Sequence, residues 1–176
     1  IDGQWTLPEV APFAGTYADI EPALSPDGSR FFFVSNRPLP GEDARFGDEN
    51  IWVMDRVGDG WSQPQPVGPP VNSEAPEFFP SLTRDGTIYF TRRGEDGAEH
   101  IYRARPEGAG YGEPERLGPE VNSGRTQFNA CVAPDESYVI VPVFGREDSL
   151  GGVDYYVTFR SPDDVWTGPF NLGPAI

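Results

Sequence analysis

The chain has 176 residues, of which 37% are hydrophobic and 13% aromatic, so it can form a domain with a core rather than a disordered tail. Its 21 glycines and 20 prolines nearly exclude long helices, because proline removes a backbone donor and glycine adds chain entropy. A net charge of −15 disfavours nucleic acid and anionic membrane surfaces as partners, and no segment has the length and apolarity of a membrane span.

The first strand-like elements surround a tight turn. Residues 1–16 carry Trp5 three residues before Pro8, and we interpret them as the last strand of a preceding unit. Short β-type runs at 22–24 and 30–35 then flank Asp27-Gly28. Asp-Gly is typical of a hairpin turn, because glycine tolerates positive φ and aspartate bonds to its own backbone.

The same turn recurs twice further along the chain. Asp27, Asp85 and Asp135 are 58 and 50 residues apart, and each is flanked by β-type runs. Glu136 replaces glycine in the third copy, which predicts a looser turn there. Extra length between the second and third strands of the first copy, residues 39–49, predicts a surface loop.

A second landmark closes each copy. An aromatic residue stands three positions before a proline, as in Trp61 and Trp166, and Gly-Pro follows four residues after that proline. Val71-Asn72-Ser73 recurs as Val121-Asn122-Ser123. Large aromatics at a repeated position fill the space between packed sheets, so we predict that both tryptophans are mostly buried.

Four short strands about every 50 residues are the signature of a β-propeller blade. We predict an all-β chain of three four-stranded antiparallel blades at 17–73, 74–124 and 125–176, preceded by the extra strand in 1–16. Closed propellers have at least about four blades, so three leave sheet faces uncovered. A partial propeller of this kind is expected to be a piece of a longer ring, or to combine with a second copy or a partner.

Together these motifs resemble the TolB-type WD-like propeller repeats. The residues that carry the resemblance are Ser25 to Gly28, Ser35-Asn36-Arg37, Asn50-Ile51-Trp52, Trp61 through Ser73, and Gly151 through Tyr156. Such repeats are common in bacterial periplasmic proteins, including proteins fused to OmpA-like domains. The resemblance covers nearly the whole chain and implies a periplasmic or otherwise extracytoplasmic location.

Catalytic groups are sparse. His100 is the single histidine, we expect it at a surface or strand end, and no nucleophile elbow is present. Asp19, Glu21 and Glu77 lie on or near first strands, which face the channel of a propeller, and could act as paired carboxylates in a hydrolase. Cys131, the only cysteine, lies in an apolar strand pattern and is predicted to be buried.

Acidic residues crowd the 39–49 loop. Glu42, Asp43, Asp48 and Glu49 supply the hard oxygen ligands that Ca²⁺ prefers, although their spacing does not match an EF-hand and defines no ligand set. A solvated acidic loop is the competing interpretation. No pattern indicates zinc, haem or a phosphate-binding loop.

The sequence therefore favours a non-catalytic scaffold that binds other proteins, as an accessory subunit of a larger envelope or membrane-associated complex. The acidic charge predicts a partner with a basic docking surface. The alternative is a carbohydrate-active or other hydrolytic propeller with carboxylates in its channel.

Overall fold

A computed structural model of the chain describes residues 7–41 and 48–176. Every regular element in these residues is a β-strand, and no helix occurs among them. The prediction of an all-β chain without long helices is confirmed for this part of the molecule. The same residues accordingly contain no helix that could cross a membrane.

The strands are short, and most follow the predicted rhythm of turn and run. In chain order they are β1 (Asp19–Leu24), β2 (Arg30–Ser35), β3 (Asn50–Val57), β4 (Gly60–Trp61), β5 (Gln65–Pro66), β6 (Glu77–Leu82), β7 (Ile88–Arg93), β8 (Glu99–Ala104), β9 (Pro106–Glu107), β10 (Gly110–Tyr111), β11 (Glu115–Arg116), β12 (Thr126–Gln127), β13 (Cys131–Val132), β14 (Tyr138–Phe144), β15 (Val153–Arg160) and β16 (Trp166–Asn171).

These strands form three antiparallel sheets and one small hairpin. The first sheet has the order β1-β2-β3-β4, with β5 also pairing β3; the second has the order β11-β8-β7-β6. The third has the order β12-β14-β15-β16, with β13 also pairing β14, and β9 pairs β10. Strand β1 contacts β6, and β6 contacts β13, so the sheets meet along their first strands.

The hairpin turn between the first two strands is alike in all three sheets. Gly28 N donates to the Ser25 carbonyl at 2.8 Å, and Gly86 N to the Thr83 carbonyl at 3.1 Å. Glu136 N donates to the Ala133 carbonyl at 2.8 Å, and Glu136 has φ of 57°, in the region that glycine usually occupies. The prediction of a looser third turn is therefore wrong, because contacts of the Glu136 side chain hold it in this conformation.

The core lies between the sheets. Central strand β2 buries both of its faces, with Phe32 and Phe33 only 1% and 2% exposed. Phe32 packs toward the second sheet with Ile88 and Phe90, and the opposite face of the second sheet packs Tyr89 among third-sheet residues such as Val139. The continuous apolar run of Phe31, Phe32 and Phe33 fits a central strand that is covered on both faces.

In each of the first two sheets, one asparagine side chain joins the third strand to the segment that leads to the next sheet, and we call this contact an asparagine clamp. Asn72 Oδ1 accepts from Ile51 N at 3.1 Å, and Asn72 Nδ2 donates to the Ile51 carbonyl at 3.0 Å. Asn122 makes the same pair with Ile101 at 2.7 and 3.0 Å. The repeated Val-Asn-Ser motif is therefore a structural element that holds the third strand.

The two repeated tryptophans, the N-terminal segment and the 39–49 loop differ from the sequence-based expectation or lie partly outside the described residues. Trp61 and Trp166 occupy matching places at the fourth strand, but both are only half-buried, because each covers the rim of a cluster rather than its centre. Residues 7–16 form no strand, and Trp5 lies outside the described residues. Of the 39–49 loop, the described residues at 40, 41, 48 and 49 are exposed, and Leu39 packs on the cluster of Phe33 and Trp52.

Candidate binding cleft

Each sheet has the same backbone kink in its first strand. Glu21, Phe79 and Asn129 have φ between 51° and 53°, and each lies six residues before the aspartate of its turn. Residues other than glycine rarely adopt this left-handed conformation. Such conformations persist where the surrounding structure holds them, and they concentrate at functional sites. The kinked side of the sheets is therefore the candidate location for a functional site.

Hydrogen bonds between neighbouring sheets hold two of these kinks. Phe79 N donates to Glu21 Oε2 at 2.7 Å, which joins the first sheet to the second. Asn129 N donates to Thr91 Oγ1 at 3.0 Å, which joins the second sheet to the third. The kinks thus align the three first strands along one side of the molecule.

A cleft of about 380 Å³ opens where the kinked strands meet. It draws on all three sheets and mixes apolar with charged side chains, and we call it the first-strand cleft. Its lining consists of Ile20, Glu21, Glu49, Phe78, Arg93, Glu99, Phe128 and Asn129.

Carboxylates outnumber cations in this cleft. Arg93 Nη2 contacts Glu99 Oε1 at 3.2 Å, and the Thr126 hydroxyl donates to Glu99 Oε2 at 3.1 Å. The guanidinium of Arg93 offsets one of three carboxylates, so Glu21 and Glu49 leave a negative excess. Apolar side chains beside these charges suit a ligand with a cationic head and an apolar stem.

Glu21 is the carboxylate whose environment is most altered. Burial raises the pKa of Glu21, the hydrogen bond from Phe79 N opposes the rise, and the negative charge of Glu49 adds to it. A cationic group entering the cleft would replace the lost hydration of both carboxylates, so its binding is expected to lower this pKa.

The other two predicted channel carboxylates are structural. Asp19 Oδ1 lies 2.5 Å from Arg37 Nη2. Glu77, with no exposed surface, pairs with Arg92 Nε at 2.8 Å and accepts from Ser73 N at 3.0 Å. The structure places Glu21 in the cleft, while Asp19 and Glu77 neutralise arginines inside their sheets.

His100 is buried in β8 rather than exposed at a surface, so that part of the prediction is wrong. Gln127 Nε2 and Arg116 Nη2 both approach its Nδ1, at 2.8 and 3.1 Å. Arginine can only donate, so Nδ1 must accept, and Nε2 carries the proton toward Asp96 Oδ2 at 2.9 Å. Both ring nitrogens therefore have partners, and the tertiary packing around Gln127 buries the ring.

Cys131 is exposed, contrary to the prediction that it is buried. Its strand, β13, pairs with β14, and its side chain lies on the side of the third sheet that faces away from the second. The apolar pattern around Cys131 correctly predicts a strand. Burial also requires a second sheet or segment that covers this face.

The predicted Ca²⁺ ligands are only partly in view. Glu42 and Asp43 lie outside the described residues, while Asp48 and Glu49 are exposed. Within residues 7–41 and 48–176, no group of three or more histidine, cysteine, aspartate or glutamate side chains could hold a metal ion. A Ca²⁺ site in this loop stays a prediction.

A charged network, which the sequence did not predict, lies at the boundary of the second and third sheets. Buried Arg103 donates from both terminal nitrogens to Asp164, at 2.9 and 2.6 Å. Glu136 accepts from the Tyr89 hydroxyl at 2.9 Å and lies 2.7 Å from Arg160 Nη1. The sequence signal for this network is Glu136 itself, where the other turns have glycine.

The network has an electrostatic consequence. Hydrogen bonds from Arg103 and Arg160 lower the pKa of Asp164 well below its usual range, although partial burial opposes the change. Burial and the nearby Glu136 charge raise the pKa of the Tyr89 hydroxyl. Each charge in the network has an opposite partner, so we assign it to holding the sheets together rather than to a reaction.

Comparison with protein-family models and with curated proteins gives no match for this chain. The resemblance to TolB-type repeats therefore stands on the repeated motifs described above.

Proposed function

We propose that this chain consists of β-propeller-type blades and serves as a non-catalytic scaffold that binds a basic segment of another protein in its first-strand cleft. Three sheets with the same turn, the same first-strand kink and recurring asparagine clamps support the propeller interpretation. The proposed extracytoplasmic location, and the role as an accessory subunit of an envelope complex, rest on the resemblance to TolB-type repeats.

The observation that carries the proposal is the composition of the first-strand cleft. A lysine or arginine side chain could lay its stem along Phe78 and Phe128 while its head reaches Glu21 and Glu49. Charge-assisted hydrogen bonds of this type are about twice as strong as neutral ones. The cleft thus fits the end of a basic side chain.

The charge of the whole chain acts in the same direction. A net charge of −15 attracts basic partners over long range and raises their rate of encounter. Salt screens such attraction over about 10 Å at 0.1 M, so binding to a basic partner is expected to weaken as salt increases.

A capped peptide of alternating arginine and alanine tests the proposal, with a citrulline peptide of the same length as the neutral control. We expect amide NMR shifts around Glu21 and Phe128 with the arginine peptide and none with citrulline. Losing one charge-assisted hydrogen bond at a half-exposed site should weaken binding by about threefold to tenfold in Glu21→Gln. Glu147→Gln makes the same change in charge away from the cleft and should bind normally.

Equal amide NMR shifts with both peptides would contradict this assignment. Shifts confined to residues outside the first-strand cleft would contradict it as well. A binding constant that does not change with salt would also contradict it, because the proposed attraction is electrostatic.

A hydrolase is the second candidate, and the raised pKa of Glu21 beside Glu49 is the observation that favours it. Two carboxylates in different environments can divide the roles of general acid and base. Chromogenic aryl glycosides provide the test. Turnover that Glu21→Gln abolishes, with ligand binding retained, would replace the scaffold proposal.

A further inference from the structure

One face of the third sheet is mostly uncovered within the described residues, with buried Pro142 as its exception. Residues along a strand alternate between faces, so Val139, Val141 and Tyr156 face the second sheet and are buried. The intervening residues face outward, and we call them the third-sheet outer face. Its exposed and half-buried members are Cys131, Tyr138, Ile140, Phe144, Val153, Tyr155, Val157, Phe159, Thr167 and Phe170.

Strand register shows which positions in the other sheets correspond to this face. In the third sheet, one row of paired residues crosses four strands. It runs Cys131, Ile140, Val157 and Phe170. The matching row in the second sheet is Ser81, Tyr89, Arg103 and Glu115, and in the first sheet it is Ala23, Phe32, Val53 and Gln65.

In the two earlier rows the central residues are covered by the following sheet, while Gln65 and Glu115 at the ends stay exposed. Phe32 is 1% exposed beneath the second sheet, and Tyr89 has no exposed surface beneath the third. On the third-sheet outer face, Phe170 is 55% exposed and Tyr155 is 43% exposed. Sheet-on-sheet packing has thus buried this surface twice in the molecule and leaves it open once.

No residue that strand register places on the open face is charged, although at one edge the Arg125 guanidinium lies over the Phe144 ring, 5.4 Å from its centre. All ten of its exposed and half-buried members are uncharged, in a chain that has 28 acidic and 13 basic residues. The matching row of the second sheet, by contrast, contains buried Arg103 and exposed Glu115. An exposed apolar patch of this extent marks an interaction surface.

We propose that a second copy of this chain covers the third-sheet outer face, third sheet against third sheet. A basic partner is a poor occupant, because its charges would be buried against a face that offers them no counter-ion. A sheet with an uncharged face matches better, since sheets of this repeat type cover the equivalent positions at both internal boundaries.

The opposite end of the stack explains why the two copies pair through their third sheets. The outward side of the first sheet, with Phe33 and Trp52, is already buried. Phe13 lies against it, with its ring centre 4.9 Å from that of Phe33. A head-to-tail contact would have to displace this segment, whereas a two-fold contact between identical open faces displaces nothing and closes on itself.

The charge of the chain gives this contact a distinctive salt dependence. Two copies at −15 each repel over long range, so added salt should strengthen their association. The proposed binding of a basic peptide in the first-strand cleft should respond in the opposite direction. The two proposals therefore succeed or fail separately.

Light scattering of the 176-residue chain over a range of concentrations, with maleimide labelling of Cys131, tests this proposal. We expect twice the monomer mass at high concentration and slower labelling of Cys131 as the dimer forms. Tyr155→Asp should raise the dissociation constant at least tenfold, because it would bury an unpaired charge in each copy. Val57→Asp, at a 64% exposed apolar position of the first sheet, is the matched control and should dimerise normally.

Tyr155 is exposed in the single chain, so Tyr155→Asp should leave the unfolding temperature of the dilute protein unchanged. Three results would overturn the proposal. One is a monomer at every concentration with Cys131 labelled as fast as a free thiol. The others are an association that Tyr155→Asp does not weaken, and one that salt disrupts.

Discussion

The two internal sheet boundaries use different chemistry to solve the same packing problem. Between the first and second sheets, Phe32 and Val53 meet Ile88 and Phe90 in a mainly apolar cluster. Between the second and third sheets, an apolar cluster is joined by the charged network around Arg103. The difference indicates that the first boundary depends mainly on burial, with the Glu21–Phe79 hydrogen bond as an ionisable contact, while the second depends more on ionised groups.

The largest effect is expected at the apolar boundary. Phe32→Ala should lower the free energy of unfolding by about 3–5 kcal/mol, since truncating a fully buried phenylalanine leaves a cavity. Urea unfolding measures this, with Phe159→Ala on the open third-sheet face as the control, in dilute solution. A loss below about 1 kcal/mol for Phe32→Ala would show that the first boundary is not held by burial.

A smaller decrease in the free energy of unfolding is expected when glycine replaces Glu136 in the third turn. Glu136→Gly removes the steric cost of a positive φ but also the partners of the Tyr89 hydroxyl and Arg160. Arg160 keeps its bond to Asp164, but removing the acceptor of the buried Tyr89 hydroxyl costs about 1–3 kcal/mol, so a net destabilisation follows. Urea unfolding should show it, and a more stable Glu136→Gly protein would mean that turn strain outweighs the network.

The charged boundary should also respond to pH. The pKa of Asp164 is lowered in the folded protein, so its contribution is complete above its unfolded pKa of about 4. That contribution is lost as pH falls through the lower folded pKa. Asp164→Asn tolerates the positive φ at this position, so it removes mainly the charge.

Urea unfolding of both proteins between about pH 7 and pH 2 gives the comparison. We expect the wild type to be more stable at neutral pH and the difference to shrink as the pH falls below about 4. Phe32→Ala, compared with the wild type in the same way, should show a constant difference. A difference between wild type and Asp164→Asn that grows in acid would reverse our assignment of the charged boundary.

The smallest effect concerns a turn that belongs to the apolar side of the comparison. Hydrogen bonds from the Ser25 hydroxyl, and from the backbone and hydroxyl of Ser29, lower the pKa of Asp27 to about 2. In Ser29→Ala, one of these donors is lost, and the Asp27 pKa should rise toward its ordinary value. Carboxyl NMR titration measures the change, and an unaltered titration would show that Ser29 does not stabilise the turn.

Local signals predicted the strands and turns well. The second strand of the first sheet, β2, begins and ends where the sequence indicated, because its apolar run and the Asp-Gly turn before it act over a few residues. The sheet order and register, however, depend on contacts between residues far apart in the chain. The third turn shows the limit, since Glu136 keeps the turn through partners such as Tyr89 that no local pattern reveals.

Burial and the cleft were harder to predict for the same reason. Cys131 and His100 both lie in strands, yet one is exposed and the other buried, because burial depends on which sheet lies alongside. Glu21 was identified as a channel candidate, but Phe128 was not. The cleft exists only where three first strands converge, and the sequence does not show that convergence.

The asparagine clamps span the same number of residues in the first two repeats, although these repeats differ in length. Asn72 and Asn122 each reach back 21 residues, to Ile51 and Ile101, although the turn aspartates that begin these two repeats are followed by segments of different length. The extra residues enter before the clamped strand, and the clamp binds only main-chain atoms there. An insertion upstream is therefore absorbed before it can shift the next sheet, while core packing constrains the buried side chains of Ile51 and Ile101. Repeats built this way can change in length before the third strand, while the distance in sequence between that strand and the start of the next sheet stays the same.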